Sequence, residues 1–415
     1  MSANIAQRLR RLAKAVWVRA AAFSLAAVAT ALLAAFIGPY IPYDPKLTLA
    51  AGSVDAILGI LATSMLAVTT FSLSVMVAAY SSATSNVTPR ATRLLREDPV
   101  AQNTLATFVG SFLFSIVGII GLSAGVYEGK GRIILFAATL IVLIVITVML
   151  LRWIDHIGRL GRVSDTIHRI EAATLLVAAY WGRHPRLGAR APVAVPVGAG
   201  RIVGDAVGYV GHVDIKELSK LADQHDLIVH LAVLPGAFVH PVRPLAHVAP
   251  AVGEGLACEL ADCFLVESER SFDHDLRFGL VVLSEVASRA LSSAVNDPGT
   301  AIEVLGAGLR VLLAYSGGLR SPEAETHTRL HAPDLSTDDL FDDFFNAIAR
   351  DGSSLVEVQL RLQAVLEALA ASDPGLFGPV ARTHARLALA RAETGLKADH
   401  DRAKVAAAAA WIGRA

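Results

Sequence analysis

Four long stretches without a charged or imidazole side chain lie within the first 153 residues of this chain. Each is close to or longer than the roughly 20 apolar residues that a helix needs to cross the hydrocarbon core of a bilayer. The chain is therefore expected to be an integral membrane protein. The uncharged stretches are 20–43, 56–89, 99–127 and 133–151. They predict transmembrane helices at about 17–38, 56–82, 100–125 and 133–153.

The basic residues around these stretches predict the orientation. Twelve Arg and Lys residues lie on one side of the predicted membrane and three lie on the other. Because basic loops stay in the cytoplasm, both termini are expected there, in a multi-pass protein of the inner (plasma) membrane. A cleaved signal peptide is the alternative for residues 1–35, but three further uncharged stretches argue against it.

The second stretch is rich in hydroxyl groups. Five of its side chains fall within about 60° of one another on a helix of 100° per residue. One interpretation is a hydroxyl-lined conduit at the axis of a homo-oligomer. The other is close helix packing, since Ser and Thr bond across helices in a membrane. The five pore-lining candidates are Thr63, Thr70, Ser74, Ser81 and Ser85.

The third stretch carries a series of small residues. Small side chains let two helix backbones approach closely, so this face is expected to pack against another helix. The candidates are Ser111, Ser115, Gly118, Gly121 and Gly125.

Charge inside a transmembrane helix often marks a proton relay or an ion site. Its absence from all four stretches favours a neutral pore, an anchor or a lipid-facing scaffold.

The rest of the chain has an ordinary charge content. The formal net charge of the chain is zero, which argues against nucleic acid as the main partner.

The predicted fold class is a mainly α membrane protein, with four transmembrane helices followed by a cytoplasmic α+β module and a helical C-terminal domain. The predicted domains are 1–153 (membrane), 154–190 (helical stalk and linker), 191–250 (small, hairpin-rich α+β module) and 251–415 (helical).

Local signals place elements within this second part. Residues 152–182 are expected to continue the fourth membrane helix as a stalk. Alternating apolar residues predict strands at Val207–Val213 and Leu227–Leu234, and a hairpin at Phe238–Val248. Asp214 is a predicted helix cap, because Glu217 stands at the capping-box position.

One polar cluster could bind a ligand. If the helix near 272–294 folds back on the Asn-Asp-Pro turn, carboxylates, an imidazole and an amide would converge on a divalent cation or polar ligand. The alternative is that the acidic residues cap helices. The cluster is Asp273, His274, Asp275, Arg277, Asn296 and Asp297. The histidines at 212, 225, 230, 240 and 247 show no ligand spacing and are interpreted as surface or half-buried side chains.

Several segments together resemble the bacterial membrane proteins of the domain-of-unknown-function 2254 family, over most of the chain. Two positions depart from the family pattern, with His274 where Gln is usual and Ser293 where Pro is usual. The resemblance implies a multi-span membrane protein with a cytoplasmic domain and implies no activity. The segments are Phe71–Ser74, Thr88–Arg90, Gly208–Val210, Pro235–Val239, Asp275–Leu280, Ala290–Ser292 and Asn296–Ala301.

We reject the two enzymatic motifs that the sequence suggests. The glycines at 198, 200 and 204 do not open a helix, and the sequence Gly125–Lys130 lacks the Ser or Thr of a P-loop. No catalytic residue, cofactor or metal is therefore predicted.

The expected partners are the lipid bilayer, further copies of the chain and an unidentified small ligand or ion. The leading hypothesis is an oligomeric channel or transport-like protein with a cytoplasmic vestibule or gate. The alternative is a membrane-anchored scaffold or ligand sensor.

Overall fold

The computed structural model describes residues 16–37, 51–91, 94, 98–127, 130–158, 161–324 and 326–413. The protein is mostly helical, as predicted, with 68 % of the described residues in helices. The described residues divide into two compact units. The membrane unit lies within residues 7–85 and 92–162. The carboxyl-terminal unit contains residues 163–415 and also the short segment Asn86–Ala91.

Four long helices account for the described part of the membrane unit. They are α1 (Val16–Ile37), α2 (Ala51–Asn86), α3 (Pro99–Ser123) and α4 (Lys130–Ile157). Three of them contain candidate membrane spans by length and composition, at Ser53–Ser82, Pro99–Ser123 and Gly131–Ile157. Helix α1 coincides with the first predicted transmembrane helix, and it is not among the candidate spans found in the described residues.

Apolar side chains and small residues hold the membrane unit together. Leu58 of α2, Phe114 of α3 and Leu135 of α4 are buried in one cluster. A Cβ atom on Gly118 would lie 2.9 Å from Leu58 Cδ1, so only glycine lets this leucine pack so closely. Asp98 caps α3 by accepting hydrogen bonds from the amides of Val100 and Ala101, at 2.8 and 3.0 Å.

The carboxyl-terminal unit combines nine long helices with eight strands in the described residues. The helices are α5 (Val163–Arg183), α6 (Ile215–Gln224), α7 (Glu254–Ala261), α8 (Leu276–Ala290), α9 (Pro298–Leu319), α10 (Thr337–Asp351), α11 (Val356–Ser372), α12 (Gly378–Gly395) and α13 (Asp399–Ala408). The strands are β1 (Ala189–Arg190), β2 (Gly200–Ile202), β3 (Gly208–Val213), β4 (Ile228–Leu231), β5 (Phe238–Val239), β6 (Ala246–Ala249), β7 (Phe264–Glu267) and β8 (His327–His331).

The eight strands form two sheets. A five-stranded sheet has the order β1-β8-β4-β6-β2, and a three-stranded sheet has the order β5-β3-β7. Both sheets take strands from either side of residue 250. The domain boundary between 250 and 251 stays a prediction. The predicted hairpin at Phe238–Val248 is wrong, because β5 pairs with β3 whereas β6 pairs with β2 and β4. The turn between β5 and β6 therefore crosses from one sheet to the other.

The predicted continuous stalk is also wrong. Helix α4 ends at Ile157, and α5 begins only at Val163. Gly161 lies between them with a φ of +81°, a conformation that breaks a right-handed helix and suits glycine. Ile167, Ile170 and Trp181 of α5 are buried. Helix α5 is therefore part of the core of the carboxyl-terminal unit.

Helix α9 is a fourth candidate span by length and composition. Its mean hydropathy of 1.3 is the lowest of the four candidates. It packs against α5, α8 and α11 within its own unit, and its Arg310 donates a hydrogen bond of 2.8 Å to Glu171 of α5. Since hydrocarbon would penalise this charged pair, we interpret α9 as the central core helix of the carboxyl-terminal unit.

The α5–α9 contact depends on two glycines. A Cβ atom on Gly182 would lie 2.4 Å from the carbonyl oxygen of Tyr315, and a Cβ atom on Gly318 would lie 2.7 Å from the Cα of Gly182. Both distances are shorter than carbon and oxygen atoms tolerate. The two helix backbones therefore touch at a place where no side chain fits.

The α5–α9 contact predicts that alanine substitutions at the adjacent Gly318 and Gly317 have different effects on stability. We expect Gly318→Ala to lower the free energy of unfolding by about 1–3 kcal/mol, the usual cost of overpacking a core. Gly317→Ala is the matched control, because a Cβ atom there meets nothing within 4 Å. The control should be neutral or stabilising by up to about 1 kcal/mol, since alanine favours a helix over glycine. Thermal unfolding of the solubilised protein, followed by circular dichroism, measures both, and equal stability of the two variants would contradict the contact.

Candidate functional site

The hydroxyl-bearing face of α2 points out of the membrane unit. Thr63, Thr70, Ser74 and Ser81 are all exposed. Ser85 belongs to α2, but its side chain lies outside the described residues. We call Thr63, Ala67, Thr70, Ser74, Ala78 and Ser81 the α2 stripe, because these six exposed small residues recur every three or four positions along the helix.

Three hydroxyl groups of the α2 stripe bond to their own helix. Thr63 donates to the carbonyl of Gly59 at 3.0 Å, Thr70 to that of Leu66 at 2.9 Å, and Ser74 to that of Thr70 at 3.0 Å. These three hydroxyls therefore have a partner even in hydrocarbon, while each oxygen can still accept a hydrogen bond. Large exposed apolar residues border the stripe, including Leu66, Phe71 and Val77. The stripe is thus a shallow polar groove on an otherwise apolar surface.

The small residues of α3 occupy a different environment. Ser111, Ser115 and Gly118 are buried inside the membrane unit. A Cβ atom on Gly121 would lie 2.4 Å from the ring of Tyr127, and Gly125 has a φ of +72° just beyond the end of the helix. In the described part of the unit, the first four positions serve packing within one chain, and Gly125 serves the turn.

The predicted polar cluster is divided between the two ends of α8. Asp275 caps α8 by accepting a hydrogen bond of 2.9 Å from the amide of Phe278. Asp297 caps α9, and its carboxylate accepts a hydrogen bond of 2.6 Å from the hydroxyl of Thr300, which lowers the pKa of Asp297. The 15 residues of α8 separate these two ends by about 22 Å. The structure therefore does not bring Asn296 and Asp297 to the other members.

The remaining members also have structural partners. Arg277 donates a hydrogen bond of 2.6 Å to Asp343 of α10 and also contacts Asp339. The ring of His274 lies 4.6 Å from that of His212. Asp273 is half-buried. In the part of the chain that the structure describes, no group of three His, Cys, Asp or Glu residues could hold a metal ion.

Asp275 is the centre of a structural joint. Arg270 holds its carboxylate with two hydrogen bonds, at 2.7 and 3.0 Å, and the side chain of Asp275 is only 5 % exposed. Gly236 lies against the same carboxylate, since a Cβ atom there would be 2.4 Å from Oδ2. The amide of Gly236 donates to the carbonyl of Val210 at 2.8 Å. Three of the sequence segments that carry the family resemblance therefore meet at Asp275.

A second joint involves the segment that follows α2. The hydroxyl of Thr88 donates to Glu285 of α8 at 3.0 Å, and Arg90 forms an ion pair with the same carboxylate. Val87 and Ala91 are buried beside them. The segment Asn86–Ala91 is thus anchored in the carboxyl-terminal unit while its chain continues directly from α2.

One pocket in the carboxyl-terminal unit combines aromatic, basic and acidic groups. Its volume is about 160 Å³. Arg186 and Asp334 line it with their charged groups 3.6 Å apart, too far for a strong hydrogen bond. Arg186 and its neighbour Leu187 have φ values of 58° and 60°, which is unusual for residues other than glycine. The other lining residues are Trp181, Pro185, Tyr315, Leu319, Leu335, Thr337 and Leu376.

Sequence inspection did not identify this pocket. Its residues extend from 181 to 376, so their proximity depends on the packing of α5, α9 and α10. The only local signal is Pro185, which ends α5 and introduces the unusual backbone of Arg186.

Sequence inspection also missed a buried contact in the membrane unit, where His156 Nε2 lies 3.2 Å from Asp98 Oδ2.

The Asp275 joint makes a prediction about stability. Arg270→Met leaves a nearly buried carboxylate without its guanidinium partner, so we expect a loss of about 3 kcal/mol of folding free energy. Arg350→Met is the matched control, because Arg350 pairs with Asp351 in an exposed position and should contribute less than about 1 kcal/mol. Denaturant unfolding of the solubilised protein compares the two. A loss below about 1 kcal/mol in both variants would show that Asp275 needs no partner.

Comparison with known proteins places these features in a family. Curated relatives include uncharacterised proteins from Mycobacterium bovis and Mycobacterium tuberculosis, each 26 % identical over 266 residues. Each alignment covers 61 % of this chain and 51 % of the relative, so the chain spans about half the length of the curated relatives it matches. No solved structure matches the chain.

The family model described as a predicted membrane protein of the domain-of-unknown-function 2254 type matches residues 13–368. This match includes the candidate spans, both sheets, the Asp275 joint and α10. The resemblance in the sequence is therefore confirmed, and this chain belongs to the domain-of-unknown-function 2254 family of membrane proteins.

Proposed function

We propose that the protein is an oligomeric channel or transport-like protein in which copies of α2 surround a conduit. The exposed α2 stripe carries this proposal. Six small residues, four of them with hydroxyl groups, face away from the unit over about 18 residues of the helix. A stripe that faced only lipid would gain nothing from its hydroxyl groups, whereas a stripe that meets its copies supplies both close contact and polar oxygens.

The chemistry of the stripe sets the selectivity that we propose. The hydroxyl groups of the stripe are neutral, and those of Thr63, Thr70 and Ser74 already donate to the helix backbone. They therefore offer a permeant species mainly the lone pairs of their oxygens. Such a conduit would discriminate by radius and by dipoles, and only weakly by charge.

The carboxyl-terminal unit is proposed to regulate the conduit from the cytoplasm. The anchoring of Asn86–Ala91 supports this role, because Thr88 and Arg90 attach the continuation of α2 to Glu285 of α8. A rearrangement of α8 would then pull directly on the end of α2. The proposed orientation, with both termini in the cytoplasm of a bacterial cell, rests on the excess of basic residues in the predicted cytoplasmic loops.

Conductance tests the proposal. In planar bilayers with symmetrical potassium chloride, we expect the wild-type protein to form channels. The double variant Ser74→Leu, Ser81→Leu should reduce the current to background, because leucine side chains would fill a neutral conduit. Thr147→Leu is the matched control, since Thr147 of α4 is also exposed and also bonds to its own helix, at 2.9 Å from the carbonyl of Leu143.

The controls separate the possible outcomes. Equal currents from the Ser74/Ser81 variant and the Thr147 variant would exclude the stripe as the conduit. Purified wild-type protein that is monomeric in lipid nanodiscs would exclude the oligomer. Background current from an oligomeric wild-type protein would favour a scaffold or sensor.

The pocket beside Arg186 favours ligand sensing as a second candidate function. Arg186 and Asp334 line the pocket with a guanidinium and a carboxylate, which suit a ligand that carries both charges. Trp181 and Tyr315 supply apolar walls, and Thr337 stands at the amino-terminal end of α10, which favours an anionic group. A volume of about 160 Å³ suits a molecule the size of a small amino acid. We propose a small zwitterion as the ligand.

Calorimetric titration with alanine and with propionate tests this second candidate. We expect saturable binding of alanine and weaker binding of propionate, which lacks the ammonium group. Asp334→Asn should abolish the difference between them, and Arg186→Gln should weaken both. Arg183→Gln is the control, because Arg183 is exposed and does not line the pocket. Binding that is unchanged in Arg186→Gln, or no binding in the wild-type protein, would contradict a zwitterion site.

A further inference from the structure

Five basic or imidazole side chains form one row across the five-stranded sheet. Each strand contributes one member at the same register. Arg190 pairs with His331, His331 with His230, His230 with His247, and His247 with Arg201. Directly paired residues of neighbouring strands lie on the same face, so the row crosses the sheet over about 19 Å, four spacings of about 4.8 Å. We call these five residues the basic row.

The middle of the basic row contains an unsatisfied polar group. His230 is only 5 % exposed, and neither of its ring nitrogens has a hydrogen-bond partner. Its ring is stacked on that of His331, with 5.1 Å between centroids and 13° between planes. A buried polar group without a partner costs about 1–3 kcal/mol, so an apolar side chain would be more stable at this position. A ligand oxygen would remove this cost.

The charges around His230 identify the kind of ligand. Its pKa is lowered by burial and by the neighbouring His331 and His247. Arg190 and Arg201 end the row on either side, and both are exposed. The acidic residues near β8, Asp223 and Asp226, are engaged with Arg329. A row that ends in arginine repels metal cations and attracts anions, even though imidazole alone is a common metal ligand.

We propose that the basic row is a binding site for a phosphate-type oxyanion, either free phosphate or the phosphate of a lipid headgroup. The half-buried His331 and His247 and the exposed Arg190 and Arg201 supply the donors. His331 Nδ1 already donates to the carbonyl of Ala191, at 2.7 Å, so His331 reaches the ligand through Nε2, which donates only in the imidazolium form. None of the five residues belongs to the α2 stripe or lines the pocket, so this site depends on neither proposed function.

The experiment titrates the full-length protein in phosphatidylcholine nanodiscs with inorganic phosphate or with short-chain phosphatidic acid, at constant ionic strength. Saturable binding is expected for at least one of them. Arg201→Gln with His247→Gln should weaken it at least tenfold. The matched control is Arg386→Gln with His400→Gln, which removes the same side-chain types from exposed positions away from the sheet.

The pattern of results distinguishes the sources and tests the site. Binding of phosphate indicates a soluble ligand, and binding of phosphatidic acid alone indicates a lipid headgroup; either supports the basic row when only the Arg201/His247 variant loses it. Circular dichroism of both double variants verifies that the fold is retained. Equal loss in the two variants, no saturable binding of either ligand, or tight binding of Ni²⁺ or Zn²⁺ at the row would overturn the proposal.

Discussion

The structure of the membrane unit depends on one constraint, the lack of hydrogen-bond partners in hydrocarbon. Every backbone amide and carbonyl must be paired within its own segment, which makes the uncharged stretches helical. The same constraint governs the side chains of α2. Thr63, Thr70 and Ser74 each donate to a carbonyl one turn earlier in the helix, so they are tolerated on an exposed face. Ionisable groups such as Asp98 and His156 are confined to helix ends.

The carboxyl-terminal unit uses its charges mainly to join elements. Arg270 and Asp275 fix the start of α8 against the turn at Gly236, and Arg310 and Glu171 join α9 to α5. These ion pairs engage acidic residues that are conspicuous in the sequence. The groups best suited to ligands are Arg186 and Asp334, which line one pocket, and the buried His230, whose ring nitrogens have no hydrogen-bond partner.

Local signals in the sequence were reliable because each depends on residues within one turn. The caps at Asp214 and Asp275 are confirmed by hydrogen bonds to amides three residues later. The predicted strand near Val207–Val213 is confirmed as Gly208–Val213. Predictions that required neighbouring elements to pair failed. Both the hairpin at Phe238–Val248 and the continuous stalk at 152–182 assumed that adjacent segments stay together, whereas the turns at those places redirect the chain.

The sequence by itself determined that this protein has membrane-spanning helices, where most helices and caps lie, and to which family it belongs. Hydrophobic length, helical periodicity and capping are properties of short segments, so they can be read without a fold. Only the tertiary structure decided that Arg190, Arg201, His230, His247 and His331 share one register, and that Trp181, Arg186, Tyr315 and Asp334 enclose one pocket. Strand order and helix crossing depend on contacts between segments far apart in the chain, and one sequence contains no direct record of those contacts.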